Sequence, residues 1–122
     1  MLTPEQVRKV QTAVWEADLA LGQQDYQLAS EKIWDATALA IKYVAEKRGW
    51  PHETFTDIYA AGRKIADEQD DCAAATSELS FAECYRANAR WKMFDDYEVV
   101  EDWDLAPGFI ERILGQPVRQ LV

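Results

Sequence analysis

From Asp25 to Gly49 the chain carries one uninterrupted helical pattern, and a segment that long restricts the folds open to it. Asp25 has the carboxylate of an N-cap, able to accept from backbone donors that a helix start leaves unpaired. Leu28, Ala29, Ile33, Ala36, Ala40 and Val44 then return at three-, four- and one-residue steps on one stripe. Lys47 and Arg48 fall at the negative end of the helix dipole, and Gly49 with Pro51 ends the helix. Trp34, Leu39, Ile41 and Tyr43 lie off that stripe. The helix is therefore apolar around more of its circumference than a surface helix needs, and it must touch more than one neighbour.

The neighbours are legible on either side. Thr3, Pro4 and Gln6 form a capping-box start, followed by the stripe Val7, Val10, Val14, Ala17 and Leu21, with Gly22 as a left-handed stop. Trp15 and Leu19 lie off this stripe. A third helix is predicted from Thr54, with Asp57 as capping partner, presenting Phe55, Ile58, Tyr59, Gly62 and Ile65 and ending near Glu68. After the polar turn 67–71, a fourth helix carries Leu79, Ala82, Arg86, Ala89 and Met93 through Phe94. The acidic stretch Asp95 to Asp104 reads as a turn or short frayed helix. A last helix starting just before Pro107 holds Phe109, Ile110, Ile113 and Leu114 and closes at Gly115. No run alternates as a strand does. The expected fold is all-α: residues 1–122 as a single domain, an antiparallel up-down four-helix bundle with a short additional C-terminal helix.

Composition narrows the function classes. A chain of 122 residues, 48% hydrophobic and 29% charged, is neither disordered nor fibrous in composition and suits one helical globule. No apolar run approaches membrane-spanning length, and the N-terminal residues do not read as a signal peptide, so the cytoplasm is the expected compartment. A net charge of −9 argues against duplex DNA and anionic membranes as partners. Cys72 and Cys84, both expected to be reduced, and a single His assemble neither a disulfide framework nor a zinc set. The six acids of 95–104 lack the ligand spacing and turning Gly of a calcium loop, so no metal and no cofactor is expected.

Two places carry candidate chemistry. His52, in the loop between the second and third helices, is either a loop residue or an acid, base or pH sensor. The segment 86–92 gathers Arg86, Arg90 and Lys92 with no acid among them. Arg86 falls on the predicted core stripe, so its guanidinium should be partly enclosed and needs an anionic or carbonyl partner. Either a native carboxylate meets it, or Arg86, Arg90 and Lys92 hold an RNA or nucleotide phosphate with Trp91 stacking on a base. Spacing alone leaves both open.

Residues 25–36, DYQLASEKIWDA, with Lys42 and 45–52, AEKRGWPH, resemble the PaREP branch of the HEPN-like superfamily. Tyr26, Glu31, Lys32, Trp34 and Lys42 carry much of the likeness. It extends to 82–88, AECYRAN, where the branch often has Ala, His and Asn at the positions of Ala82, Arg86 and Asn88. The resemblance implies a four-helix bundle, commonly a homodimer, among small prokaryotic proteins associated with nucleotides, RNA, defence or toxin–antitoxin systems. Active HEPN ribonucleases carry an Arg followed after four to six residues by a His. After Arg86 those positions hold Trp91, Lys92 and Met93, and after Arg90 they hold Asp95, Asp96 and Tyr97.

The expectation is a non-catalytic HEPN-like protein binding a partner protein, or an RNA or nucleotide, in a cleft at Arg86, Asn88, Arg90, Trp91 and Lys92. A second expectation is a ribonuclease using His52. A third is a structural subunit docking through exposed Trp and Leu side chains of the first two helices.

Overall fold

The computed structural model describes residues 2–118, and these are all-helical, without strands. Helix α1 spans Pro4–Gly22, α2 Tyr26–Arg48, α3 Phe55–Asp67 and α4 Cys72–Trp91. Then come the short α5, Asp96–Glu101, a single 3-10 turn, Trp103–Leu105, and α6, Gly108–Leu114. No helix among the described residues is long and apolar enough to cross a membrane.

The starts are where capping chemistry puts them. Thr3 and Gln6 exchange side-chain-to-backbone hydrogen bonds at α1, and Thr54 and Asp57 do so at α3. Asp25 accepts from the Leu28 N–H, and Gly49 ends α2 at φ 71°. At the end of α1 the left-handed residue is Gln24, at φ 62°, and not Gly22 as expected. The helix runs through Gly22, and the turn is closed two residues later, where the Asp25 N–H donates to the Ala20 carbonyl.

Helix α2 is the shared wall of two apolar clusters. On one side Ala29, Ile33, Ala36 and Ala40 meet Val10, Val14 and Ala17 of α1, together with Tyr85, Val99, Trp103 and Ile110. On the other side Trp34, Ile41 and Ala45 meet Ile58, Ile65, Leu79, Ala82 and Phe109. Gly62 sits where α3 approaches closest: a Cβ there would lie 3.0 Å from a Leu79 methyl and 3.3 Å from an Ile41 methyl.

Two faces differ from the expected stripes. In α4 the buried line runs Ala75, Leu79, Ala82, Tyr85 and Asn88, leaving Arg86, Ala89 and Met93 off the core. The Tyr85 ring wins its place by packing edge-on against Phe81, Phe94 and Trp103. The helix also stops at Trp91 rather than Phe94, with Lys92 left-handed at φ 47°. In α3, Phe55 and Tyr59 lie on the surface, 40% and 42% exposed, because Ala61 and Ala66 take the inward positions.

Candidate functional site: an arginine-aromatic face on α3 and α4

The capping box at Thr54 fixes where α3 begins, and with it the line of Phe55, Tyr59 and Arg63 at four-residue steps. On α4, Glu83, Arg86 and Arg90 follow at steps of three and four. Where the helices pack, these two lines interleave. The Arg86 guanidinium lies 3.6 Å from the Phe55 ring centroid, and that of Arg63 lies 4.5 Å from Tyr59. Phe55 in turn sits between Trp34 and Tyr59, at 6.0 and 6.1 Å between ring centres.

Arg63 donates to the Tyr59 hydroxyl at 3.1 Å and to a Glu83 oxygen at 2.8 Å. Burial pushes the Glu83 carboxyl above the usual carboxylate range, and the attraction of Arg63 and Arg86 opposes this without cancelling it. Arg63 is shifted further upward by Tyr59 and Glu83 against its own desolvation. Arg86 is shifted downward by its partial burial and by the like charge of Arg90, but a guanidinium still carries its charge at neutral pH. Burial, with the nearby Glu83 charge, also pushes the Cys84 thiol upward.

Arg86, Arg90 and Lys92 have no carboxylate within ion-pair distance among the described residues. Arg86 makes its close contact with an aromatic ring, and Glu83 attracts it without forming an ion pair. Arg90 lies 6.0 Å from the Trp91 ring, and Trp91 stands 65% exposed. Lys92 is exposed beside it.

Asn88 does not belong to this face. It is buried, donating to the Ser30 hydroxyl at 2.9 Å and accepting from the Phe94 N–H at 2.7 Å. The Ser30 hydroxyl in turn donates to the Tyr26 carbonyl, so Asn88 ties the end of α4 to α2. A short amide inside a core must find such partners, and it found one 58 residues away and the other six.

His52 is also apart from the face. Its Nδ1 lies 2.9 Å from the Trp50 carbonyl, which makes that nitrogen the donor, and Nε2 faces Glu46 and Glu53 at 4.0 and 3.8 Å. Carboxylates around an imidazole repel a phosphodiester. Of the family-resemblance positions, Trp34 alone touches the face, through Phe55. Tyr26 packs on the α1 side of the core, Lys32 is half-buried, and Glu31 and Lys42 are exposed.

Phe55, Tyr59, Arg63 and Glu83 are absent from the expected site. Their signal was available: two aromatics and an arginine at steps of four beside, rather than on, the stripe of Ile58 and Ile65. Elsewhere, a hollow of about 420 Å³ between α4 and α6 is lined by Phe81 and Leu105 together with Glu78, Asp104 and Glu111, which disfavours anions. No group of three or more metal-ligating side chains converges among the described residues. No family model matches the chain, and no curated protein or solved structure shows significant similarity to it.

Proposed function

We propose that this chain is a non-catalytic, HEPN-like up-down bundle that binds single-stranded RNA or a nucleotide on the α3/α4 face. The observation that carries this is Arg86, held on Phe55 with no carboxylate within ion-pair distance among the described residues, Glu83 acting on it only from further off. A positioned guanidinium with Arg90 and Lys92 beside it supplies donors for phosphate oxygens, and exposed Trp91 supplies a stacking surface for a base. Glu83 is the one acid in this set, and Arg63 pairs with one of its oxygens. The sequence likeness around Trp34 supports the family, and with it a setting in RNA metabolism, defence or a toxin–antitoxin pair.

Fluorescence anisotropy with a labelled single-stranded RNA tests the reading. Binding should weaken steadily with salt. Arg86→Ala and Trp91→Ala should each reduce affinity about tenfold, the scale of one phosphate contact or one stacked base. Unchanged affinity in both variants, or no binding by the wild type, rejects this face as an RNA site. The second outcome leaves a partner protein as the ligand.

A further inference from the structure

The 3-10 turn Trp103–Leu105 contributes to the lining of two open hollows. In the one of about 420 Å³ between α4 and α6, Phe81 and Leu105 lie with Glu78, Asp104 and Glu111. A second, of about 520 Å³, is lined by Leu21, Tyr26, Val100 and Trp103 together with Asp18 and Asp104. Asp104 lines both, so the two adjoin there. Each falls in the range of ligand clefts, about 300–1,000 Å³. Leu105 and Val100 stand 62% and 46% exposed. The walls are held by bonds within the fold. The Trp103 indole donates to Asp18 at 2.6 Å, joining the turn to α1. Arg112 holds Glu78 through two hydrogen bonds, and the Val118 N–H donates to Glu111 at 3.1 Å.

We propose that the two hollows together seat a basic amphipathic segment of a partner protein. Its apolar side chains rest on Phe81 and Leu105 in one hollow and on Leu21 and Val100 in the other, with a cation between them at Asp104. Charge selects this occupant. No Lys, Arg or His lines either hollow among the described residues, and Arg112, which meets Glu78, is outside the lining. Carboxylates in both hollows repel an anionic ligand. A wholly apolar ligand would strip them of water without replacing its hydrogen bonds. A polyamine answers the carboxylates but leaves Leu105 and Val100 in water. A segment that combines cations with apolar side chains matches both. A second copy of this chain, at net charge −9, is a poor source of it. Arg86, Arg90, Trp91 and Lys92 line neither hollow, so this seat is independent of the RNA reading.

Fluorescence anisotropy of the full chain at about 0.15 M salt tests the seat. The probe is a labelled amphipathic helix with Leu on one face and Arg on the other, about 18 residues or five turns long. The wild type should bind it and ignore a counterpart with Glu in place of every Arg. Leu105→Ser should weaken binding about tenfold and Val100→Ser about threefold. Both side chains are exposed, so helical circular dichroism should not change. Glu111→Gln keeps an oxygen for the Val118 N–H and should weaken binding about threefold. Glu16→Gln removes the same charge outside both hollows and should have no effect. Arg86→Ala should leave peptide binding intact, and Leu105→Ser should leave RNA binding intact. No binding by the wild type overturns the proposal, as does binding indifferent to both Leu105→Ser and Val100→Ser. Equal weakening by Glu111→Gln and Glu16→Gln also overturns it, because the peptide then answers net charge alone.

Discussion

The two sides of α4 use neighbouring residues for opposite ends. Inward, Tyr85 and Asn88 are closed off: the ring is edge-on to three aromatics, and the amide has partners at both its nitrogen and its oxygen. Outward, Arg86 and Arg90 are one or two positions along, yet they rest against rings with no carboxylate within ion-pair distance among the described residues. Burial forces a polar group to find a match within the fold, whereas a half-exposed cation can be left to water or to a ligand.

If that contrast is right, substitutions on the two sides separate stability from binding. Tyr85→Ala should have the largest effect, about 4 kcal/mol lost in chemical denaturation, because it empties the junction of α4 with Phe94 and Trp103. Asn88→Ala should cost about 2 kcal/mol in the same measurement, since the Phe94 N–H loses its acceptor. Arg86→Ala should move the unfolding midpoint by no more than about 0.5–1 kcal/mol, the worth of a half-exposed cation–π contact. An Arg86→Ala loss equal to that of Asn88→Ala would abolish the distinction.

The smallest effect concerns pH. Glu83 has its folded pKa raised, so ionising it opposes folding, and the opposition fades as pH falls through the folded value toward the unfolded one. Asp57 and Glu68 run the other way: each has a lowered folded pKa, contributes above its unfolded pKa, and loses that contribution as pH falls through the folded one. The wild type should therefore lose slightly less stability on acidification below neutrality than Glu83→Gln does. Parallel denaturation curves for the two proteins at every pH would contradict this.

Much of the architecture was readable residue by residue. Thr3, Asp25, Thr54, Gly49 and Gly115 mark helix ends by local chemistry, acting over three or four residues, and those marks stand in the structure. The face of α4 was not readable, because from Ala82 a step of three leads to Tyr85 and a step of four leads to Arg86. Periodicity permits both, and contacts with Phe94 and Trp103 decide between them. Asn88 looked like a ligand residue for a related reason: the hydroxyl that satisfies it, on Ser30, is remote in sequence and ordinary in appearance. Phe55 and Tyr59 were misplaced by hydrophobicity alone, since an aromatic beside a small-residue stripe of Ala61, Gly62 and Ala66 can be held outside it.

The Asn88 tie has a consequence for how the outer face meets a ligand. By anchoring Phe94 and the end of α4 to α2, it holds the backbone around Arg90, Trp91 and Lys92 in one arrangement before anything binds. Side chains projecting from a fixed backbone surrender less conformational entropy on association than those of a mobile loop. If the outer face binds RNA as proposed, the interior amide contributes to affinity without touching the ligand, through preorganisation. Loosening it should show as faster release of a bound strand, even where every contacting side chain is intact.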